Sequence, residues 1–497
     1  MRRSPTVSLA MLVVLGGCAV GPGYQTPAAP TPAAFSSGET APAPPIGDWW
    51  KRFSDPVLDD LIARALASGP DVQQALARVR EAREQESVTR GGHGLQANAS
   101  AQGAETHLSK NALPSGLASL FSGSPGQGSS SPAIGVPGET FSVWQAGFDA
   151  SWEIDLFGGQ RRQDEAARAR TQASVWSARD AQVVLAAEVA NTYEQYRTLQ
   201  RRLVLADEAV SIARETAAYV AVRAKSGLVP ASDAARQARQ ADEAAALRED
   251  LAAQSQVHVH ALATLLGLVP DALVAELRSL PADGPAAPAV PAGLPSQLLE
   301  RRPDIRAAER AMAAATADAG VATADLYPKL SLTGAVDLAS RSLTRLLESD
   351  SLQDNIGGRI SVPLLGRGRL HAAVRVRQAQ RDEAAIAYRK AVVSALRDVE
   401  DALARLQADR RRAEVLGAAV DAARDASEDA AVRYRNGLTV ATDLLAARDA
   451  LRSARDAATQ AQTSTTADVV ALYKALGGGW DERRAPIDEE LAVDHAH

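Results

Sequence analysis

The sequence predicts a chain that joins very long α-helices to four membrane-type β-strands, laid out as an internal repeat. Three observations predict it: sequence landmarks that recur, segments of alternating polarity, and long stretches almost free of proline and glycine. The landmarks recur as Pro70 and Pro303, Gly158 and Gly366, and Gly227 and Gly437, at separations of 233, 208 and 210 residues. A repeat on this scale predicts internal symmetry in the folded protein.

Alternating polarity predicts the four strands. Side chains point to opposite faces along a strand, so alternation gives each strand one apolar and one polar face. Each segment has about ten residues, the length of a tilted strand crossing an outer membrane, whereas strands of a soluble sandwich alternate too but are usually about five or six residues long. The segments are 95–103, 142–154, 329–338 and 355–364.

The number of strands limits how they could cross a membrane. Four strands cannot close a barrel, because the smallest membrane barrels need about eight. An open edge in lipid would leave backbone groups without hydrogen-bond partners. If these strands span a membrane, several copies of the chain must therefore share one barrel.

Two segments predict very long helices. Residues 159–225 lack proline and have glycine only at Gly159, and residues 369–435 are interrupted only by Gly417. A helix of about 65 residues would extend about 100 Å and must pack along other helices as a coiled coil. A coiled-coil scaffold alone would satisfy this composition as well. Partner helices are predicted at 56–90 and 231–266 in the first repeat, and at 296–326 and 439–476 in the second.

The N-terminus predicts secretion and lipidation. Residues 1–17 have a basic start and a short apolar core, which is typical of a signal peptide. The segment ends in Gly16-Gly17-Cys18, which resembles the lipobox of bacterial lipoproteins, where the cysteine becomes the acylated N-terminus. Cys18 is the only cysteine; the alternative is an ordinary signal peptide followed by a free thiol. In the lipoproteins that this segment resembles, aspartate after the cysteine tends to retain the protein at the inner membrane, so Ala19 favours delivery to the outer membrane.

The remaining organisation follows from composition. The predicted order is a lipoprotein signal peptide at 1–17, a lipidated tether at 18–50, a first repeat at 51–280, a Pro/Ala-rich linker at 281–295, a second repeat at 296–480, and an acidic tail at 481–497.

Composition and motifs give no sign of an enzyme. The net charge of −6 does not suggest nucleic-acid binding. The seven histidines are scattered, and no zinc-protease motif, cysteine pair or phosphate-binding loop is present. We therefore predict no catalytic residue, no metal and no cofactor apart from the covalent lipid.

Several segments, in order and spacing, resemble one family. The chain is similar to outer-membrane efflux lipoproteins of the TolC-type outer-membrane factor family, in the OprM-like or NodT-like branch. The matching segments are Trp49-Trp50, Asp55 to Leu58, Trp152 to Gly158, Leu298 to Ile305, Tyr327-Pro328, Arg433 to Gly437, and Tyr473 to Trp480.

The resemblance implies an assembly and a function. It implies a homotrimer in which each chain gives four strands to one 12-stranded barrel, continuous with a periplasmic tunnel of 12 helices. A periplasmic adaptor and an inner-membrane pump of the RND class would recruit this channel in the outer membrane and deliver drugs or other solutes to it. The alternatives are a channel for an ABC-type exporter or a heavy-metal pump, and an envelope scaffold without a lumen.

The resemblance also suggests candidate functional residues. Two tight turns, at Gly227-Leu228 and Gly437-Leu438, would lie at the periplasmic tip, where the exposed leucines would contact the adaptor or merely cap the hairpins. Related chains carry an aspartate at a position that is Ala446 here. Asp443, one helical turn earlier, would then supply a displaced gate carboxylate, or simply favour the helix N-terminus. Arg433 would be its gate partner, or a solvated side chain.

Overall fold

A computed structural model describes residues 20–28, 32–36, 46–107, 140–278, 288, 290, 293 and 295–480. The predicted signal peptide, Cys18 and the acidic tail lie outside these residues.

The described elements follow the repeat order. The first repeat contains a 3-10 helix at Trp49–Phe53, α1 at Pro56–Ser68, α2 at Pro70–Gly92, β1 at Gln96–His107, β2 at Thr140–Ile154, α3 at Gly159–Lys225, α4 at Ala231–Leu265 and α5 at Val274–Arg278. The second contains α6 at Leu298–Arg301, α7 at Pro303–Ala324, β3 at Lys329–Ser340, β4 at Leu352–Ser361, α8 at Arg367–Arg435 and α9 at Ala441–Ala475.

The long helices form without interruption. α3 has 67 residues and α8 has 69, and Gly417 does not break α8. α4 and α9 have 35 residues each. Within the described part of the chain, no single helix is long and apolar enough to cross a membrane; α4 and Pro270–Arg278 reach that composition only together, across a bend of 109°.

The predicted helices at 56–90 and 296–326 are each broken. The first divides at Gly69, whose ψ of 133° is extended, and the second at Arg302, whose ψ is 117°. Proline follows in both cases, and its ring disfavours the helical conformation of the preceding residue. The fourth strand also differs from its prediction, because it begins at Leu352 and ends at Ser361 rather than spanning 355–364.

One compact unit contains the sheet. It comprises Met1–Tyr24, Glu84–Arg168 and Ala313–Arg381. Its strands are antiparallel in the order β1-β2-β3-β4, so that β2 and β3 join the two repeats. Phe157, which follows β2, and Tyr327, which precedes β3, stack with ring centroids 4.8 Å apart.

The segment after Cys18 is docked on this unit rather than free. The backbone N–H of Val20 donates to the carbonyl of Phe157 at 3.0 Å. Gly21 passes so close to α7 that an added Cβ would lie 2.8 Å from the Cα of Gly320. Contact at this distance requires glycine at the crossing. The predicted tether therefore begins as a fixed strap.

The second compact unit holds the main hydrophobic core. It comprises Gln25–Arg83, Ala169–Met312 and Asp382–His497. Trp49 stacks on Tyr473, with centroids 5.1 Å apart, and both are fully buried. Phe35, from the predicted tether, is buried in the same cluster. Aromatic side chains bury large areas, so these contacts dominate the packing energy of the unit.

A buried arginine organises the same unit. Arg302 donates to the carboxylate of Asp304 at 2.6 Å and to the carbonyl of Ala475 at 3.0 Å, and it lies 3.4 Å from Asp398. The indole N–H of Trp480 donates to the carbonyl of Arg301 at 2.9 Å. Segments that carried the family resemblance thus bind one another, so they have a structural role in this unit.

Candidate functional site

The register of the sheet brings most polar residues of the four strands onto one side. Asn98 is paired with Asp149, Asp149 with Ala335, and Ala335 with Asn355, and paired residues share a face. Asn98 also donates to the Asp149 carboxylate at 3.1 Å. This side carries Gln96, Asn98, Ser100, Gln102, Gln145, Asp149, Ser151, Glu153, Lys329, Ser331, Thr333, Asp337, Gln353, Asn355, Arg359 and Ser361.

A hydrogen-bonded ladder crosses the polar side from edge to edge. Gln102 donates to Gln145 at 2.8 Å, and Gln145 donates to Asp337. Gln353 donates to the same Asp337 oxygen at 2.7 Å. Parity placed Asp337 among the polar residues, but only the register reveals that its carboxylate links three strands.

The opposite side of the sheet is apolar and exposed. Contiguous apolar surface of this kind marks contact with a membrane or another protein. Glu105, paired with Ser142, and Asp354, paired with Val336, are the two carboxylates on this side among the described strands. The large exposed hydrophobic residues are Phe148, Trp152, Leu332, Val336, Leu352, Ile356 and Ile360.

The two edge strands are bare in one chain. All twelve residues of β1 are exposed, as are all of β4 except Gly357. An edge strand presents unpaired backbone groups that favour pairing with another strand. The chain therefore offers two sheet edges, β1 and β4, to further copies.

The two hairpin turns have one geometry. Gly227 and Gly437 both have φ of +72°, a left-handed conformation that glycine adopts at little cost. The N–H of Leu228 donates to the carbonyl of Arg223 at 2.9 Å, and that of Leu438 to Arg433 at 2.9 Å. This pattern closes the last turn of each long helix. Leu228 and Leu438 are 67% and 71% exposed, so both leucines point into solvent.

The two gate candidates have separate local partners. Asp443 accepts a hydrogen bond from Thr439 in the first turn of α9. Arg433 lies 3.7 Å from Asp429, one turn back in α8, and both side chains are mostly exposed. One chain does not bring Asp443 and Arg433 into an ion pair among the described residues. Ala446 lines a cleft of about 520 Å³ formed by α3, α4 and α9.

The polar interior of the second unit has an identifiable structural role. The Tyr193 hydroxyl donates to the Asp55 carboxylate at 2.8 Å, and burial together with that carboxylate raises the pKa of Tyr193 above its ordinary value. Asp55 also accepts from the N–H groups of Val57 and Leu58 and so caps α1. Over the described ranges, no group of three or more histidine, cysteine, aspartate or glutamate side chains is arranged to hold a metal.

Comparison with known proteins decides the family. A family profile described as outer membrane efflux protein matches residues 61–268 and 294–478, which is most of both repeats. The chain belongs to this family. It is 31% identical to outer membrane protein OprJ of Pseudomonas aeruginosa over 499 residues, covering 98% of each chain. It is also 31% identical to the pyoverdine export outer membrane protein OpmQ of the same species, covering 91% of this chain and 94% of OpmQ.

A solved structure gives the same answer for the fold. The outer-membrane channel OprN matches with a TM-score of 0.80 and 32% identity, covering 93% of this chain and all of OprN. The predicted TolC-like fold class is thus confirmed. The protein is an outer-membrane efflux channel, and its family and fold are those of channel proteins.

Proposed function

We propose that three copies of this chain form the exit channel of a tripartite efflux system, which passively conducts drugs or other small solutes across the outer membrane. An RND-class inner-membrane pump and a periplasmic adaptor would deliver the solutes. The observation that carries this proposal is the sheet, which is polar on one side, apolar on the other and open at both edges. Three such sheets joined through β1 and β4 make a closed barrel whose polar sides face a lumen.

The turns supply the proposed docking points. Leu228 and Leu438 project from rigid turns with the same hydrogen bonds, so each copy presents two similar apolar knobs. Three copies would present six knobs, and an adaptor could engage each of them with one repeated contact. Asp443 and Arg433 lie close to the second turn. Within one chain they contact Thr439 and Asp429 rather than each other. A gate built from them would therefore need contacts between different copies.

The strap supports lipidation at Cys18. Val20 is fixed to Phe157, three residues beyond the end of β2 at Ile154. Acyl chains attached to Cys18 would enter the membrane beside the apolar side of the sheet. The channel itself requires no catalytic residue, nucleotide or metal, since the pump provides the energy.

Conductance tests the lumen. The full-length protein, inserted into a planar bilayer, is expected to give stepwise ion conductance. The absence of any conductance from protein that assembles in the outer membrane would support the scaffold alternative instead.

Photo-crosslinking in cells tests the partners. A photoreactive residue at Leu438 is expected to capture the adaptor of an RND pump, identified by mass spectrometry. The matched control is Leu347, a leucine at least as exposed, in the connection between β3 and β4. Capture of an ABC-exporter adaptor would retain the channel and change its cargo, while no adaptor capture at Leu438 would contradict tip docking.

A further inference from the structure

The two repeats differ in charge where a strand passes into its long helix. Gly158 and Gly366, 208 residues apart, mark the matching positions. Residues 153–173 of the first repeat contain four arginines and four acidic residues, so their charges cancel. The matching residues 361–381 contain five arginines and no aspartate or glutamate. We call residues 361–381 the basic segment.

The first repeat keeps its counter-charges beside its arginines. Arg162 forms an ion pair with Glu165, with nitrogen and oxygen 2.6 Å apart. In the second repeat, the positions of Asp155 and Glu165 are taken by Pro363 and Ala373. The start of α8 therefore carries arginines without the acidic residues that balance them at the start of α3.

The first four arginines of the basic segment are exposed and reach no acidic residue. Arg367 donates to a backbone carbonyl at 3.2 Å, and Arg377 donates to a glutamine side chain at 3.0 Å. Arg369 and Arg375 have no hydrogen-bond or ion-pair partner in the described part of the chain. Because like charges repel one another, a surface of this kind is stabilised when it binds an anion.

Apolar residues lead directly into the basic segment. Ile360 lies on the apolar side of the sheet, and Val362 and Leu364 continue its alternation beyond the end of β4. They are 43% and 77% exposed. The chain thus passes from exposed apolar residues to exposed arginines within three residues of Leu364. A membrane leaflet has the same order, because its acyl chains adjoin polar and anionic headgroups.

We propose that the basic segment binds anionic phospholipid headgroups in the periplasm-facing leaflet of the outer membrane. The proposal rests on the proposed channel, in which the apolar side of the sheet faces the membrane, and it adds a class of ligand to that channel. A guanidinium group can give a phosphate two parallel hydrogen bonds. A basic residue close to an anionic lipid surface strengthens binding roughly five-fold.

The position of each arginine along α8 grades its contribution. Arg367 and Arg369 begin the helix, and Arg375 and Arg377 lie about 12 Å further along it. The headgroup region on one side of a bilayer is only about 5–8 Å deep. The first pair therefore contacts the phosphates, whereas the second pair acts through its electric field, which salt screens over about 8–10 Å.

Lipid binding to the full-length protein tests the proposal. The protein, in a nonionic detergent, is titrated with dioleoyl phosphatidylglycerol or with zwitterionic dioleoyl phosphatidylcholine, and bound lipid is counted by native mass spectrometry. Phosphatidylglycerol is expected to bind more tightly, and its advantage should shrink as salt is added. Arg367→Gln combined with Arg369→Gln should weaken phosphatidylglycerol binding roughly 25-fold, as two such contributions are lost.

Two further pairs make the same change of charge elsewhere. Arg375→Gln combined with Arg377→Gln should weaken phosphatidylglycerol binding by less than about five-fold, because these residues lie beyond the headgroups. Arg161→Gln combined with Arg168→Gln removes two exposed arginines from the balanced first repeat and should leave binding unchanged.

A lysine pair separates charge from folding. Arg367→Lys combined with Arg369→Lys keeps both charges and should retain most of the binding, since each lysine loses only the two-fold hydrogen bonding of arginine. Circular dichroism shows whether each variant is folded. A lysine pair that loses binding as fully as the glutamine pair would overturn the proposal, because charge would not be the cause.

The remaining results separate the lipid site from the channel. Equal binding of the two lipids, unchanged binding in the Arg367 and Arg369 glutamine pair, or equal losses in all three glutamine pairs would overturn the lipid site. Altered ion selectivity in a planar bilayer without altered lipid binding would also overturn it, because the arginines would then line the lumen. Wild-type protein that prefers phosphatidylglycerol but conducts no ions would contradict the proposed channel instead.

Discussion

α3 and α8 occupy the same place in the two repeats, yet they are buried to different extents. Both follow a strand, run for almost 70 residues and end at a glycine turn with the same hydrogen bonds. α3 is covered on two sides, whereas α8 leaves Val393, Arg397 and Ala408 exposed. The reason is that α3 has α9 as a further neighbour, through the Thr198–Thr463 and Arg202–Asp456 contacts. The difference teaches that burial of a repeated helix depends on its position in the chain order.

The repeats also differ in how the chain packs at the residue that precedes the matched prolines, Pro70 and Pro303. In the first repeat, Gly69 packs so tightly that an added Cβ would lie 2.5 Å from the carbonyl oxygen of Ala65. In the second, Arg302 takes the equivalent position before proline and donates to the carbonyl of Ala475. Close backbone packing in one repeat is replaced by a charged network in the other.

The largest effect is expected from a substitution that breaks the hydrogen-bond network of Arg302. Arg302→Met keeps a long side chain but removes the charged hydrogen bonds to Asp304 and Asp398. Because both carboxylates are about one-third exposed, the loss should cost about 3 kcal/mol, the upper end of the range for a hydrogen bond to a charged group. Thermal unfolding in detergent, followed by circular dichroism, should show a clearly lowered midpoint. Arg397→Met is the control, because Arg397 contacts the same Asp398 from solvent. Equal effects of the two variants would show that the network is not important for stability.

The next effect concerns a tyrosine that only the first repeat has. Tyr193 corresponds to Leu403, and its hydroxyl donates to the Asp55 carboxylate. Tyr193→Phe should cost about 1.5–3 kcal/mol, since a bond to a charged group is lost. Tyr196→Phe loses a bond to the neutral carbonyl of Leu277 and should cost about 0.5–1.5 kcal/mol. The same unfolding measurement ranks the pair, and a larger loss for Tyr196→Phe would contradict the assignment.

The pH dependence of stability should distinguish α9 from α4, the two 35-residue helices. Asp468 of α9 corresponds to His258 of α4. Burial, and then the neighbouring Asp409 carboxylate, raise the pKa of Asp468 from 3.8 to about 6, while Arg405 opposes them. A raised pKa means that the fold favours the protonated carboxyl. The contribution of Asp468 is therefore fully present below about pH 4 and is lost as the pH rises to about 6.

Replacement by asparagine isolates that contribution. Asp468→Asn should raise the unfolding midpoint at pH 7.5 and flatten the difference between pH 4.5 and pH 7.5. Asp456→Asn is the matched control, because Asp456 is paired with Arg202 and its loss should destabilise the protein at neutral pH. An unchanged pH profile for Asp468→Asn would refute the assignment.

The turns should behave alike. Gly227→Ala and Gly437→Ala place a Cβ on a residue with φ of +72° and should each cost about 1–2 kcal/mol locally. Hydrogen exchange of the turn amides should report equal increases in opening at the two sites. Gly417→Ala, within the interior of α8, is the control and should instead stabilise by about 1 kcal/mol. A large difference between the two turns would break the equivalence of the repeats.

Local patterns explain how much the sequence could predict. The alternation of Trp144 and Gln145, or of Leu332 and Thr333, reports directly on strand faces, and all four strands were predicted within a few residues. The long helices and the Gly227 and Gly437 turns were predicted for the same reason. The breaks at Gly69 and Arg302 were missed, although the proline that follows each residue was an available signal. The gate role of Asp443 and Arg433, the adaptor contact of Leu228 and Leu438, and lipidation of Cys18 stay predictions.

The sequence by itself determined the period and length of each element, because strand alternation, helix propensity and glycine turns act over a few neighbouring residues. Only the tertiary structure decided which elements share a face. Strand register placed Gln102, Gln145, Asp337 and Gln353 on one ladder, and the packing of α9 covered α3 while leaving α8 bare. Register and packing depend on contacts between residues far apart in the chain. A local pattern does not determine which distant element a segment will contact.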